Sequence, residues 1–412
     1  INDFLWTYII IVVLVGSGLW FTVSTGLVQL RALPEMVRLL AGDLGRRPSG
    51  RKAISSFQAF CVSTASRVGV GNIAGVAIAI VTGGPGAVFW MWVIAFIGTA
   101  TGFVESTLAQ IYKIPRGHGL FHGGPAYYIQ NALGQPAVAK LFAVLISVTF
   151  GLIYVSVQAN TIALSMEKAF GIDTWVMGGV LAVLSGVVIF GGIQRVANFA
   201  TLLVPVMAGI YLLIALITVI LHIDQVPAMF ALILHDAFSP QAAVGGGIGT
   251  AILTGIRRGL FSNEAGEGSI PNAAATANVT HPVKQGLVQA FGVYVDTWIV
   301  CSATAFIVLL TGQYTIGGDT TGIALAQDSL ASVFGPWASS LLAVLIFLFA
   351  FSSVVGNYYY GEVNIHFFGG NTERALFVYR LGVVAMVFFG CIAALGLVWN
   401  LADLFMAMIC VT

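Results

Sequence analysis

Long apolar segments separated by short polar loops run along the whole chain. A helix needs about 20 apolar residues to cross the roughly 30 Å hydrocarbon layer of a bilayer. The pattern therefore predicts ten membrane spans and the start of an eleventh near Leu401. The predicted spans are 5–30, 57–81, 86–112, 140–167, 174–192, 197–221, 243–265, 285–311, 336–360 and 375–398. We expect an all-α polytopic membrane protein that forms one transmembrane domain over residues 1–412.

Both ends of the sequence fit this interpretation. The first apolar run lacks a basic leader and a small-residue cleavage site and is too long for a signal peptide, so we expect a retained span. The eleventh span has only about twelve residues before Thr412, which predicts that the sequence ends inside a helix.

The second span is interrupted near its centre by Gly69-Val70-Gly71-Asn72. In lipid an unpaired backbone group costs several kcal/mol, so an unwound segment persists only where it lines a protein-enclosed cavity. A Gly-x-Gly pair can instead form a helix-packing face. The neighbouring polar residues Ser66, Arg67 and Asn72 favour a binding site over that alternative.

The two half-helices predict what this site binds. Backbone N–H groups of Val70, Gly71 and Asn72 open the second half-helix, whose positive dipole end suits a carboxylate. Carbonyl groups at Ala65 to Val68 end the first half-helix and suit a cation. A ligand that uses both ends is a zwitterion, and amino acids are the obvious small zwitterions.

The seventh span predicts a matching interruption at Thr254-Gly255-Ile256-Arg257-Arg258-Gly259, five spans later and in the opposite direction. Paired broken helices are typical of transporters with inverted repeats. We expect a five-plus-five inverted repeat, with repeats at 55–222 and 243–412 after an accessory helix at 1–31. The glycine run at 245–249 lacks the Gly-Lys-Ser/Thr ending of a phosphate loop and is interpreted as helix packing.

Composition supports a membrane protein and excludes several functions. Hydrophobic residues make up 58% of the 412 residues, and charged residues only 8%, against about 25% in soluble domains. The net charge of +1 comes without a basic stripe, so nucleic acid is excluded as a partner and membrane lipid is expected. The sequence offers no histidine, cysteine or paired-acid arrangement for catalysis, so we predict that the protein is not an enzyme.

Lysine and arginine concentrate in alternate loops, which predicts that those loops are cytoplasmic. They are Arg31, Arg38, Arg46, Arg47, Arg51, Lys52, Lys113, Arg116, Lys140, Arg195, Lys284, Arg374 and Arg380. The opposite loops carry Asp173, Asp224, Asp236, Asp319 and Asp328, with Lys168 as their basic residue. We expect a multi-pass cell (plasma) membrane protein with its N-terminus outside and its C-terminus in the cytoplasm.

Charged and polar residues inside the spans give further candidates. Arg257, Arg258, Glu264 and Glu267 are expected to pair with one another, and with Glu105. We interpret this cluster as an intracellular gate or scaffold, with direct substrate contact as the alternative.

Three other sets of polar residues each leave two interpretations open. Ser352 and Ser353 offer hydroxyl ligands for sodium, or else bond their own i−4 carbonyls. Asp296 is either an ion or proton site or a hydrogen-bonded structural acid. Tyr154 and Gln158 share one helix face, towards the cavity or in helix–helix hydrogen bonds.

Four stretches of sequence resemble the alanine or glycine:cation symporter family. They are Gly-Gly-Pro-Gly-Ala-Val-Phe-Trp-Met-Trp at 83–92, Gly-Asn-Ile-Ala-Gly-Val-Ala at 71–77, Arg-Gly-Leu-Phe-Ser-Asn-Glu-Ala-Gly-Glu-Gly-Ser at 258–269 and Trp-Asn-Leu-Ala-Asp at 399–403. The resemblance covers nearly the whole chain. It implies sodium-coupled uptake of alanine and glycine and the inverted-repeat fold first described for bacterial leucine transporters.

The same resemblance implies roles for individual residues. Gly69, Val70, Gly71 and Asn72 correspond to the unwound segment, with the Val70 and Gly71 N–H groups on the substrate carboxylate. The substrate amine would lie against Thr254 and Gly255.

The resemblance also implies where cations bind. A sodium site would consist of carbonyl groups at Ala65, Val68 and Phe349 and the hydroxyls of Ser352 and Ser353. A second cation would lie at Asn72 and Asp296. Arg67 departs from the small residue expected beside the break, and its charge would fill or reshape this second position.

We therefore predict a sodium-coupled secondary symporter that imports alanine or glycine by alternating access. Glycine-rich walls and nearby aromatic side chains would limit the pocket to alanine-sized substrates. Proton coupling through Asp296 is the alternative within transport. An ion channel is a further alternative, but it would need repeated filter segments or rings of charge, which the sequence does not contain.

Overall fold

The computed structural model describes residues 2–43, 53–117, 120–191, 193–239, 249–369 and 372–412, which form helices and one small hairpin. The glycines at 245–247 and the basic residues Arg46, Arg47, Arg51 and Lys52 lie outside the described residues.

Helices occupy the predicted apolar segments. They are α1 (Leu5–Ser24), α2 (Val28–Arg31), α3 (Leu33–Asp43), α4 (Ser56–Arg67), α5 (Gly71–Gly83), α6 (Gly86–Ile111), α7 (Pro125–Leu133), α8 (Pro136–Phe170), α9 (Thr174–Ile189), α10 (Ile193–Leu221), α11 (Val226–Ala237), α12 (Thr250–Asn263), α13 (Ile270–Ala274), α14 (Pro282–Thr311), α15 (Gly322–Phe334), α16 (Trp337–Phe367), α17 (Thr372–Ile392) and α18 (Leu395–Val411). Strands β1 (Ile114–Gly117) and β2 (Leu120–His122) pair antiparallel.

Within the described residues, seven helices are long and apolar enough to cross a membrane, and the bent pair α4–α5 makes an eighth span. Three more apolar helices, α9, α11 and α18, are shorter than a full span. The number eleven therefore stays a prediction. The last predicted boundary is wrong, because α17 ends at Ile392 and α18 begins at Leu395. The turn between them contains only Ala393 and Ala394, so no glycine or proline marks it in the sequence.

Helices α4 and α12 lie inside the molecule. Helix α4 packs against α10 and α16, and α12 packs against α5 and α6. Helices α10 and α17 instead present exposed apolar side chains such as Leu202 and Val378, as lipid-facing helices do. Polar groups on α4 and α12 are thereby shielded from lipid.

Three π-helical turns border this interior, at Gly71–Gly75, Thr149–Tyr154 and Tyr294–Cys301. Such turns are rare and occur frequently at functional sites, because they leave backbone carbonyls without the usual i+4 partner.

The loops separate into two ends of the molecule. At the basic end, the Lys113 ammonium donates to the Ala277 carbonyl over 2.7 Å, and the Asn278 N–H donates to the Ile54 carbonyl over 2.9 Å. At the acidic end, the Gly86 N–H donates to an Asp236 carboxylate oxygen over 2.7 Å. Each of these contacts thus joins loops that the charge pattern assigns to the same side, and the orientation stays a prediction.

The β1–β2 hairpin is held at the basic end by an arginine between two histidines. Arg116 donates to His122 Nε2 over 2.9 Å and lies 3.2 Å from Nδ1 of His366. His122 is 7% exposed. Burial, helped by Arg116 and His366, lowers the pKa of His122 from 6.5 to about 3. Neutral His122 is thus part of the native contact.

Acid is therefore expected to destabilise the protein through His122. Below pH 6.5 the unfolded chain binds a proton at His122, whereas native His122 stays neutral down to about pH 3. The free energy of unfolding therefore decreases as the pH falls through this window. The loss should approach about 2 kcal/mol between pH 6.5 and 5. His122→Gln, which still offers Arg116 an acceptor, should remove this part of the pH dependence of thermal unfolding. His235→Gln, at an exposed position of α11, should keep it. A wild-type pH dependence in His122→Gln would contradict the assignment.

Candidate functional site

Helix α4 ends at Arg67, and α5 begins at Gly71 with a bend of 50° between them. This confirms the interruption predicted at Gly69–Asn72. Two of the freed backbone groups are capped by side chains: the Gly69 N–H donates to Asn72 Oδ1 over 2.9 Å, and the Val70 N–H donates to Gln158 Oε1 over 3.1 Å. The segment is buried, so these side chains supply the hydrogen bonds that water would make to an exposed backbone.

Gln158 occupies the place where a substrate carboxylate was expected. Its amide oxygen accepts from the Val70 N–H, and a Cβ added to Gly69 would lie 2.9 Å from that same oxygen. A carboxylate oxygen is the same kind of acceptor, so a bound amino acid would have to displace this side chain. Gln158 thus contacts the unwound segment directly, and its role in substrate binding stays a prediction.

Four of the five predicted sodium ligands lie together. Ser353 Oγ is 2.9 Å from the Ala65 carbonyl and 3.2 Å from the Phe349 carbonyl. Ser352 Oγ donates to the Phe349 carbonyl over 2.7 Å and is 3.4 Å from that of Ala65. All four residues are at most 1% exposed. Val68 lies at the same break, although no described hydrogen bond joins its carbonyl to either hydroxyl.

This arrangement can hold a hard monovalent cation. The hydroxyls belong to α16 and the Ala65 carbonyl to α4, so a cation would join two helices that are distant in sequence. The ligands are neutral oxygens, the type that hard cations prefer. The alternative of hydroxyls bonded to their own helix is only partly right, because each hydroxyl also reaches Ala65.

Asn72 and Asp296 are in contact, but the asparagine presents nitrogen rather than oxygen. Asn72 Nδ2 donates to Asp296 Oδ1 over 2.7 Å, and its Oδ1 is taken by the Gly69 N–H. Asp296 Oδ2 accepts from Ser262 over 2.8 Å and from Thr297 over 3.0 Å. A second cation at this position would require Asn72 to reorient.

Arg67 lies beside this network as a buried cation. It is 2% exposed and donates to the Ser63 carbonyl over 3.4 Å and to Gln289 Oε1 over 3.2 Å. Its charge acts on Asp296. Gly292 leaves room for the guanidinium, since a Cβ there would lie 2.2 Å from Arg67 Nη2. Arg67 thus places a positive charge near Asp296, beside the position where the second cation was expected.

The predicted interruption at Thr254–Gly259 is wrong, because α12 runs through these residues without a break. Its glycines instead allow close packing on α6: a Cβ at Gly255 would lie 2.4 Å from the Ala87 carbonyl, and one at Gly259 would lie 2.6 Å from Ile94. Thr254 and Gly255 therefore lie about 12–14 Å along the helix from its end at Asn263. Thr254 lies against Gly83 at the other end of α5, a position that does not support their expected contact with the substrate amine.

The second break lies at residues 264–269. Helix α12 ends at Asn263, Glu264 takes a left-handed φ of 55°, and Gly266 and Gly268 have φ of 101° and 71°. Helix α13 then begins at Ile270. Phe261 and Ser262, just before this break, face the first break, since a Cβ at Gly71 would lie 3.0 Å from Phe261.

Two contacts tie this second break to the rest of the site. Ser66 donates to Glu264 Oε1 over 2.8 Å. Tyr154, one turn before Gln158 on α8, donates to Glu267 Oε2 over 3.0 Å. Helix α8 thus contacts both breaks, through Gln158 and Tyr154.

Arg258 pairs with a residue outside the predicted cluster. Arg258 forms a buried ion pair with Asp403 of α18, and its guanidinium lies 4.6 Å above the Trp399 ring. Arg257 lies 5.2 Å from the Trp6 ring. The arginines thus turn towards the acidic end, and the glutamates towards the basic end.

A cavity lies on each side of the two breaks. The acidic-end cavity, of about 540 Å³, is lined by Thr82, Thr254, Gly317 and Asp403 among others. The basic-end cavity, of about 180 Å³, is lined by Glu105, Tyr128, Phe142, Glu267 and Cys410 among others. Neither includes residues 68–72 among its described lining residues.

Several site residues were not identified from the sequence. Phe261 and Trp399 pack in a tilted arrangement with ring centroids 4.9 Å apart, and Trp399 and Arg258 line the acidic-end cavity. Ser262 supports Asp296. A usable signal was present: Glu-Ala-Gly-Glu-Gly at 264–268 places acids and glycines inside an apolar region, as the first break does.

Comparison with known proteins gives a family match over the whole chain. The model of the sodium:alanine symporter family matches residues 1–412. The amino-acid carrier protein AlsT of Bacillus subtilis is 53% identical over 98% of this chain and 85% of its own length. The probable sodium/glutamine symporter GlnT of the same organism is 52% identical over 99% of this chain and 84% of its own length.

A solved structure shows the same fold. The crystal structure of MhsT in complex with L-phenylalanine matches with a TM-score of 0.64 at 14% identity, over 88% of this chain and 89% of that one. At this identity the likeness concerns the fold alone. It confirms the predicted leucine-transporter-like fold.

Proposed function

This chain belongs to the sodium:alanine symporter family, and we propose that it imports alanine or glycine together with sodium across the cell membrane. The protein is a sodium-coupled amino-acid symporter and not an enzyme. One observation carries the proposed site: the neutral oxygens of Ala65, Phe349, Ser352 and Ser353 converge directly beside the unwound N–H groups of Val70 and Gly71.

Sodium would act by joining α4 to α16. A cation at the four oxygens replaces hydrogen bonds in which two hydroxyls share the carbonyls of Ala65 and Phe349. It also places positive charge near the end of α4, where the helix dipole is negative. Sodium binding would thus organise the segment that receives the substrate.

The substrate would then bind at the first break. Its carboxylate would take the Val70 and Gly71 N–H groups and displace the Gln158 amide oxygen. The Tyr154 and Phe261 rings, 4.8 Å apart, would close around the small side chain. The substrate amine would donate hydrogen bonds to acceptors at the end of α12, near Phe261 and Ser262, rather than at Thr254 and Gly255.

Transport requires that the two cavities open in turn. The Arg258–Asp403 pair with Trp399 would be the gate on the acidic side, and residues 264–269 the gate on the basic side. We place the acidic end and the N-terminus outside the cell and the basic end and the C-terminus in the cytoplasm, following the loop charges. Residues 55–222 and 243–412 would be the two inverted repeats after an accessory helix at 1–31.

We propose one sodium ion rather than two. Both oxygens of Asp296 accept hydrogen bonds from neutral donors, and Arg67 already supplies a positive charge nearby. Buried charges require such compensation. The Asn72–Asp296 position would then be structural, and sodium dependence of binding should be hyperbolic.

Glutamine is a second candidate substrate, favoured by the name of a 52% identical relative. The two candidates differ in size, and an alanine-sized pocket would reject the longer side chain. Purified protein is expected to bind radiolabelled alanine in sodium but not in potassium, with displacement by glycine and serine. Displacement by glutamine at equal concentration would identify the larger substrate instead. Equal alanine binding in both salts would contradict sodium coupling.

A further inference from the structure

Glu267 lies at the second break with one oxygen unpaired. The residue is 1% exposed, and its Oε2 accepts from the Tyr154 hydroxyl over 3.0 Å. Its Oε1 is buried without a hydrogen-bond partner among the described residues. Glu267 also lines the basic-end cavity.

The groups that face Glu267 are acidic or neutral. Glu264 belongs to the same segment, Glu105 to α6, Tyr154 to α8 and Cys410 to α18. In the part of the chain that the structure describes, no lysine, arginine or histidine nitrogen lies within 4.0 Å of the Glu267 carboxylate. An ionised carboxylate buried without a cation is expensive, so this environment favours the neutral form of Glu267.

Two possible partners could neutralise such a group, a metal ion or a proton. Among the described residues no three His, Cys, Asp or Glu side chains come together as metal ligands, which argues against a divalent or transition-metal ion. Sodium also binds neutral oxygens, and the sodium stoichiometry measured below distinguishes it from a proton. Glu105 is engaged by the Gly266 N–H over 3.4 Å. The arrangement around Glu267 therefore favours a proton.

We propose that Glu267 binds and releases a proton during each transport cycle and thereby controls the opening of residues 264–269 towards the basic-end cavity. This inference rests on the proposed function. On opening, the Glu267 O–H bond breaks and the proton passes to cavity water. The ionised carboxylate then retains that water, and closure requires the proton to return.

The location of Glu267 explains how one carboxyl group can affect both the first break and the basic-end cavity. Glu267 accepts a hydrogen bond from Tyr154, whose ring packs at a tilt against that of Phe261 with centroids 4.8 Å apart. Phe261 in turn lies against Gly71 of the first break. Gly266 and Gly268, with left-handed φ, flank Glu267 and allow the segment to change conformation. A change in hydration at Glu267 is thus transmitted through side chains in direct contact.

The test uses the full chain in proteoliposomes, with the pH varied on the basic-end side at constant sodium gradient. For the wild type we expect the alanine transport rate to change at least about tenfold between pH 5.5 and 8.5, as one titrating group allows. Glu267→Gln, which keeps the shape but cannot ionise, should transport at a rate that varies less than about twofold over this range. Glu167→Gln, at an exposed position of α8, should retain the wild-type profile.

A separate measurement keeps this inference distinct from the proposed function. Sodium-dependent alanine binding in detergent is measured on every variant, and its absence from the wild type would overturn the proposed function. If wild type binds alanine but Glu267→Gln does not fold, Tyr154→Phe replaces it and should shift the midpoint of the pH profile. A flat wild-type profile, an unchanged profile in Glu267→Gln or an unshifted one in Tyr154→Phe would overturn the role of Glu267. A change in sodium stoichiometry with a flat profile would assign a metal ion instead and also overturn it.

Discussion

Ser353→Ala is expected to weaken sodium binding by about 10- to 100-fold and to stop alanine transport at ordinary sodium concentrations. The substitution removes one of the four oxygens that converge between α4 and α16, at 2.9 Å from the Ala65 carbonyl. A hydrogen-bonding or ligand contact to a charged group contributes about 1.5–3 kcal/mol, and each 1.4 kcal/mol is a factor of ten in affinity. The measurement is a sodium titration of radiolabelled alanine binding.

Two variants make this experiment specific. Ser353→Thr keeps the hydroxyl and should retain measurable sodium dependence. Ser156→Ala removes another buried hydroxyl, bonded to its own helix at the Ile153 carbonyl, and should leave the sodium affinity unchanged. An unchanged sodium affinity in Ser353→Ala would show that the cation binds elsewhere.

Arg258→Ala is expected to produce the largest loss of stability and to disable the acidic-side gate. The substitution leaves the Asp403 carboxylate without its cation in a site where both side chains are at most 10% exposed. Removing one partner of a buried ion pair costs about 3–5 kcal/mol, because the remaining charge is uncompensated. It also removes the cation from the Trp399 face, 4.6 Å away.

The thermal unfolding midpoint and the transport rate both measure this effect. Asp403→Asn combined with Arg258→Met removes both charges and should recover part of the lost stability while transport stays impaired. Arg38→Ala, which breaks an exposed pair with Glu35, should change neither quantity measurably. If Arg258→Ala unfolded at the wild-type temperature, the Arg258–Asp403 ion pair would not be what holds the acidic-side gate closed.

The first break was predictable because it places polar residues and glycines inside an apolar span. The set of cation ligands came from the resemblance to the symporter family and stays a prediction. Gly69, Gly71 and Asn72 occur together in an apolar span, and their backbone groups have to be satisfied within the protein. Ser352 and Ser353 belong to a span with few other polar residues at that depth. The structure brings these segments into contact through the Ala65 carbonyl.

The second break was misplaced because glycine has two uses in a membrane helix. Gly255 and Gly259 allow α12 to approach α6, and Gly266 and Gly268 allow the chain to leave the helix. Both kinds of position are glycine in the sequence, so the sequence alone does not distinguish them. Which one applies depends on whether another helix lies against the glycine, and that is a property of the packed molecule.

By itself the sequence determined the membrane setting, the all-helical fold, the two oppositely charged ends and the first broken helix. Each of these follows from the free energy of a local segment in lipid or water. Apolar length, loop charge and an unpaired backbone can be counted along the chain. Only the tertiary structure decided that Arg258 pairs with Asp403, that Gln158 caps Val70 and that Glu267 is left with a free oxygen. These contacts join distant residues, and the energy of a buried polar group depends on which partner reaches it.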